Sequence, residues 1–323
     1  MIRPEDFNYH FRPDTHWQWA ETIFFPVNVP GTTLNGGLYV LTRPMLGVSM
    51  CSITFMDRLS MLWEDQAYID NQQHLPCPES LLEFSLPNGF SLKAIEPLKH
   101  YRVRYDGIDD TRCDLEYFAL HEPFDLNDPA MCPMAAKRNG ATSWDNAFHG
   151  HYEHTYRIKG ELVLRGKRYA VDTVDTGDRS WGPRAERDNA NFIWWHASFG
   201  DDLTIHLLTG HDFPNSTQYG PLISGYVMEK GRNYGLVESS GVQEYMKGLP
   251  LGGQVEVTDI RGKKFACTYS SLNSCYMAPY PSNTYLQTFM RVNHNGLVGP
   301  GVQQFGLSRA YSTRNREAIN GRY

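Results

Sequence analysis

Seven consecutive residues, Asp178-Arg179-Ser180-Trp181-Gly182-Pro183-Arg184, place a carboxylate, two guanidinium groups, a hydroxyl and an indole together near the middle of the chain. A turn needs only the Gly and the Pro. Opposed fixed charges beside a Trp need a further reason, because taking an Asp and an Arg out of water costs solvation. Two readings stay open. In one, the segment is a structural corner: Asp178 is paired with Arg179 or Arg184, Trp181 is buried and Gly182 turns the chain. In the other, Asp178 moves protons while Arg179 and Trp181 touch a substrate. A second concentration is His149-Gly150-His151-Tyr152-Glu153-His154-Thr155-Tyr156-Arg157. Strand alternation puts His149, His151 and Glu153 on one face and Tyr152, His154 and Tyr156 on the other. Two His and a Glu are the ligand types of a facial metal triad, but three side chains of one strand diverge along it. A polar wall is therefore expected, in which His151 and Glu153 either face solvent or supply acid–base groups to a cavity, and no metal. The third concentration is Trp194-Trp195-His196, whose adjacent indoles point to opposite faces, with His196 sharing the face of Trp194. Such an imidazole is either a core histidine held by a hydrogen bond or a proton carrier tuned by desolvation. His206 shares a face with Thr204 and Leu208. The order expected for proton transfer is His196, then Asp178, then His151 with Glu153. Trp181, Trp194, Trp195, His206 and Arg179 are expected to contact substrate.

These groups have to be positioned by strands, because helical periodicity is scarce. Only Arg58 to Tyr68 has apolar residues near helical spacing. Elsewhere short alternating runs are broken by Gly, Pro and Asn, as in antiparallel sheets. Leu81–Leu86 and Leu92–Ile95 flank Pro87-Asn88-Gly89, an Asn-Gly hairpin signal. Tyr101–Tyr105 leads to Cys113–Ala119, and Tyr152–Val163 turns at Arg165-Gly166-Lys167 into Arg168–Val174. Both flanks of the heptapeptide read as strands, so it is expected on a loop between them. Three hairpins follow, turning at Gly200-Asp201-Asp202, Lys230-Gly231-Arg232 and Arg261-Gly262-Lys263. They describe a meander that must close or cover its edges. The stretch from Glu122 to Ala147 is the least patterned, and reads as surface coil or as a lid over a site.

The composition excludes several classes. A chain of 323 residues exceeds the usual single core, so two domains are expected. A net charge of −6 leaves no electrostatic footprint for nucleic acid. No apolar run approaches the ~20 residues that span a bilayer, and the first residues lack the apolar core of a signal peptide. The six cysteines have no C-x-x-C spacing, as expected for reduced thiols in a cytoplasmic protein. Neither a dinucleotide fingerprint, a phosphate loop nor a nucleophile elbow is present, so no cofactor is expected. Aromatic residues make up 13% of the chain, which suits a barrel enclosing an apolar ligand and suits a packed β core nearly as well.

The runs Gly150-His151-Tyr152-Glu153, Gly160-Glu161-Leu162-Val163-Leu164, Tyr169-Ala170-Val171-Asp172 and the heptapeptide resemble the AttH-like, carotenoid-hydratase-like group. These are tandem lipocalin-like β-barrels related to tocopherol cyclase-like and fungal Diels–Alderase proteins. The resemblance is sharpest over residues 149–200, and Gly299-Pro300-Gly301-Val302-Gln303-Gln304-Phe305-Gly306 carries it toward the end. It implies an all-β fold of two antiparallel lipocalin-like barrels with few short helices, over residues 1–177 and 178–323. It also implies a hydratase, isomerase or cyclase that acts by acid–base chemistry on a terpenoid, steroid or polyketide-like molecule; the alternative is a carrier of such a molecule. Hydratase members carry Asp-His-x-Trp-Gly, and here Arg179 stands at the His position. Arginine does not exchange a proton near neutral pH, so the proton must come from another group.

Overall fold

The computed structural model describes residues 1–138, 147–184, 191–212, 216–246, 248–280 and 283–317. It divides into two compact units. One comprises Met1–Met56, Ala67–Asp125 and Phe148–Arg184, the other Asp57–Gln66, Leu126–Ala147 and Ala185–Tyr323. Both are antiparallel β structures with few short helices, the first a half-barrel and the second a closed barrel.

The first unit holds β1 (Trp19–Asn28), β2 (Asn35–Arg43), β3 (Val48–Met56), β4 (Tyr68–Pro76), β5 (Glu83–Ser85), β6 (Phe90–Glu96), β7 (His100–Asp106), β8 (Arg112–Ala119), β9 (Phe124–Asp125), β10 (Gly150–Leu164) and β11 (Lys167–Pro183). Their order is β4-β3-β2-β1-β11-β10-β8-β7-β6-β5, with β9 on β10. The Asn-Gly hairpin joins β5 to β6, with Gly89 at φ +90°. The concave face packs an aromatic core in which Phe25 lies 4.7 Å from Tyr117 and both approach Tyr156. β10 is buried on both faces from Gly150 to Tyr156, then resumes partial exposure.

The heptapeptide is not a loop. Residues 178–183 continue β11, and the register runs from Phe24 opposite Asp178 to Trp19 opposite Pro183. Gly182 makes this possible at φ +150°, a conformation that a side chain strains, so the Gly-Pro pair extends the strand instead of turning it. Gly150 lies opposite Trp181, and a Cβ there would collide with the indole. The boundary expected between 177 and 178 falls inside this one strand, and the first unit runs on to Arg184. The helix expected over 58–68 is an irregular segment with a single 3-10 turn at Trp63–Asp65. Its backbone is drawn elsewhere, because Leu59 bridges Ser274 and Ser274 N donates to the Arg58 carbonyl at 3.1 Å. Of the Glu122–Ala147 stretch, the structure gives β9 and a helix α1 (Pro133–Arg138) anchored by Arg138 on the Ile223 and Leu126 carbonyls. Residues 139–146 lie outside the described residues.

The second unit is a closed meander of β12 (Phe192–Ser198), β13 (Leu203–Gly210), β14 (Leu222–Glu229), β15 (Arg232–Met246), β16 (Leu249–Asp259), β17 (Lys264–Tyr280), β18 (Asn283–His294) and β19 (Leu297–Ser308). Closure comes from β19 pairing with β12, which removes both free edges. Inward residues alternate along β12, as Ile193, Trp195 and Ala197, while bulges interrupt the alternation on β15 and β17. A short helix α2 (Arg309–Arg314) follows, capped by Ser308 accepting from Tyr311 N. No helix among the described residues is long and apolar enough to cross a membrane.

Candidate active site

Because the heptapeptide is a strand, its side chains divide by parity. Arg179 and Trp181 face the concave core, while Asp178 and Ser180 face the other way. The expected Asp178–Arg179 pair is therefore not formed. The partner of Arg179 is Glu21 on β1, in an ion pair that is buried at both ends. The same guanidinium donates to the carbonyls of Ser180 at 2.8 Å, Asn8 at 3.0 Å and Thr22 at 3.3 Å. Glu21 also accepts from His10 N at 2.7 Å and Trp19 Nε1 at 3.0 Å. Burial would raise its carboxyl, but the Arg179 charge and the His10 hydrogen bonds outweigh burial and hold it at about 2. The His10 imidazole stacks 3.7 Å from the Trp181 indole. This half of the motif is a structural anchor for the segment that precedes β1, and Arg179 is committed to it.

The other half meets β10. Asp178 is the register partner of Glu153, and His151 lies two residues away on the same face. His151 Nε2 is 2.8 Å from Glu153 Oε1 and 3.6 Å from Asp178 Oδ2. Glu153 is fully buried, whereas the Asp178 side chain keeps 18% of its surface exposed. Burial raises the Asp178 carboxyl, to about 7; His151, Arg184 and Arg179 pull it down and Glu153 pushes it further up. Arg184 is itself buried, donating to Ser180 Oγ at 2.8 Å and lying 3.9 Å over the Phe148 ring. Ser180 in turn shares a 2.6 Å contact with Thr22 Oγ1. The structure thus brings Asp178, His151, Glu153 and Arg184 together, and separates Arg179 and Trp181 from them.

The metal triad is not assembled. His149 precedes β10, is exposed and packs edge-on to Trp19 at 5.3 Å. Among the described residues, no group of three His, Cys, Asp or Glu is arranged to hold a metal ion. His154, on the concave face, donates from Nε2 to the His121 carbonyl at 2.6 Å. Burial lowers His121 to about 4 and His154 to about 3, so both are neutral. His121 escaped sequence reasoning, having no periodic neighbour to single it out; so did Glu21, which is distant in sequence from Arg179.

In the second unit, His196 and His206 are register partners on the outward face of β12 and β13, and both are buried. The Trp194 ring is 4.7 Å from His196 and 5.7 Å from His206, and His206 stacks on Tyr226 at 5.3 Å. Trp195 points the opposite way, into the barrel. Two open grooves, of 470 Å³ across β15–β18 and 420 Å³ across β6–β8 and β10, are lined by none of the candidate residues.

Solved structures share the fold at low identity. Kievitone hydratase from Nectria haematococca is 14% identical with a TM-score of 0.58, over 91% of this chain and 90% of that one. A Nitrosomonas europaea protein described as AttH is 12% identical with a TM-score of 0.63, over 94% and 96%. CghA, solved with Sch210972, is 11% identical with a TM-score of 0.53, over 89% and 88%. No curated protein matches the sequence. The family model for the domain of unknown function DUF7064 matches residues 3–306, and the chain belongs to that family.

Proposed function

We propose that the protein is a cofactor-independent enzyme that moves a proton on a hydrophobic small molecule, as a hydratase, isomerase or cyclase, with Asp178, His151 and Glu153 as its acid–base group. The observation that carries this reading is the contact of three titratable side chains on one face of β10 and β11, with only Asp178 partly open to the outside. A carboxyl raised to about 7 holds and releases a proton with comparable ease near neutral pH, as a general acid–base catalyst requires. Glu153 accepts from His151 Nε2 and fixes the imidazole's orientation, with the same nitrogen 3.6 Å from Asp178 Oδ2. In a hydration, the Asp178 O–H would add its proton to one carbon of a double bond. Water would then attack the resulting cation and return a proton to the Asp178 carboxylate. In an isomerisation or cyclisation, the same carboxylate would collect the proton lost from carbon. The shared fold with a kievitone hydratase supports acid–base chemistry on a small organic substrate. Arg179 takes no part, being held by Glu21.

The test is turnover on terpenoid, steroid and polyketide-like libraries with wild type, Asp178→Asn and His196→Ala. Loss of a general acid–base group costs ~10²–10⁴-fold, so Asp178→Asn is expected to lose at least the smaller factor while substrate still binds. Full activity in Asp178→Asn would remove this cluster from the mechanism, and a loss confined to His196→Ala would move the proton to that histidine. Binding without product by every form would make the protein a carrier.

A further inference from the structure

The barrel of the second unit carries polar groups on its inside that its own chain does not satisfy. β15 and β19 lie four strands apart in a ring of eight, so their side chains meet only across the lumen. Gln303 of β19 does this, with Nε2 donating to Gln243 Oε1 of β15 at 2.6 Å. Gln303 is the register partner of Trp195 on one side and of Thr288 on the other. The three therefore form a belt on the inward face of adjacent strands. Continuing round, Ser274 pairs with Thr288, and its hydroxyl is satisfied by the Ser60 carbonyl at 3.0 Å. Trp195 Nε1, Gln303 Oε1 and Thr288 Oγ1 find no hydrogen-bond partner among the described residues, and neither does Thr209 Oγ1, two residues along β13 from the partner of Trp195. All four residues are completely buried. Turning the Gln303 amide over would change which of its atoms faces the lumen, not that one does.

Buried polar atoms are ordinarily paired, and each exception requires a partner from outside the chain or a stated cost. Here the exceptions cluster: one N–H donor, one carbonyl acceptor and two hydroxyls able to do either. None carries a charge. An aromatic wall stands beside them, Trp195 lying 6.1 Å from Tyr269. The interior of an eight-stranded barrel either fills with its own side chains or holds one small ligand, and unpaired polar atoms on the inside fit the second.

We propose that the lumen of this barrel is a second binding site, independent of the Asp178 cluster, for a small, neutral, planar molecule that carries both a hydroxyl and a carbonyl. Its ring would lie against Trp195 and Tyr269. Its carbonyl would accept from Trp195 Nε1, and its hydroxyl would bridge Gln303 and Thr288.

The probe is 4-hydroxyacetophenone, titrated calorimetrically into the full chain, with acetophenone as the analogue that lacks the hydroxyl. The expected result is one equivalent bound by wild type. Loss of one neutral hydrogen bond weakens binding about three- to tenfold, the effect expected for acetophenone, Thr288→Val and Trp195→Phe. Asp178→Asn is expected to bind the probe as wild type does, which separates this site from the proposed catalytic one. Thr288→Val removes a hydroxyl with no partner in the chain, so it is expected to melt no lower than wild type. A clear drop would mean that the hydroxyl is already satisfied, and would overturn the proposal. So would the absence of binding by wild type, equal affinity in both variants, loss of binding in Asp178→Asn, or crystals soaked in the probe that show only water at the belt.

Discussion

Replacing Glu21 by Gln tests the assignment of Arg179 to structure and not to catalysis. The Glu21 carboxylate collects donors from Arg179, His10 and Trp19 and lies completely buried. An amide in its place keeps the shape, but turns an N–H₂ toward donors and leaves the Arg179 charge without a counter-charge. The carboxyl sits at about 2 in the fold against an ordinary 4.5, a preference for the charged form worth roughly 3 kcal/mol. That agrees with the ~3–5 kcal/mol typical of breaking a buried ion pair. For a unit of this size, about 2–4 °C accompany each kcal/mol, so a fall of roughly 6–12 °C in Tm is expected near neutral pH. The pH dependence has a definite sign. A carboxyl depressed by folding stabilises above its unfolded value and loses that contribution as pH falls toward the folded one. The gap between wild type and Glu21→Gln is therefore expected to be complete above about pH 5 and to narrow steadily toward about pH 2. Melting curves of the two proteins across this range measure it. Equal melting temperatures at neutral pH, or a gap that does not narrow in acid, would refute the reasoning.

The opposite sign is expected at Asp178. Its carboxyl is raised by folding, so it favours the fold below its unfolded value and loses that advantage as pH climbs to about 7. Asp178→Asn is therefore expected to melt no lower than wild type at pH 7–8, its relative stability improving as pH rises from about 4 to 7, even though it loses turnover. A melting temperature clearly below wild type at neutral pH would instead assign Asp178 a structural pairing. Gly182→Ala is expected to cost on the order of 1–3 kcal/mol, since φ +150° strains any residue with a Cβ; circular dichroism melts check it, and an unchanged Tm would mean that the strand adapts.

Much of the strand inventory was legible locally. Alternation and turn residues marked β5 to β8, β10, the start of β11 and the three hairpins of the second unit, because each is a property of neighbouring residues. The segment 58–68 misled for the complementary reason. Its apolar spacing suits a helix, but its backbone hydrogen bonds go to β17, more than two hundred residues away. Gly182-Pro183 misled likewise, since the same two residues end a loop or extend a strand according to whether β1 lies alongside.

The candidate site divides along the same line. Residue types and parity already placed His151 with Glu153 on one face, separated His154 from them, and set Trp194 opposite Trp195. What only the tertiary structure decided was who faces whom across strands. Asp178 meets Glu153 because β11 returns along β10 in one register, and a shift of a single residue would have put Arg179 there instead. The Arg179 charge is answered by Glu21, 158 residues earlier, and the unsatisfied belt inside the second barrel exists only because β19 closes onto β12. Periodicity is written in consecutive residues, whereas register and closure are set by the packing of whole sheets, and the chemistry of this protein rests on the latter.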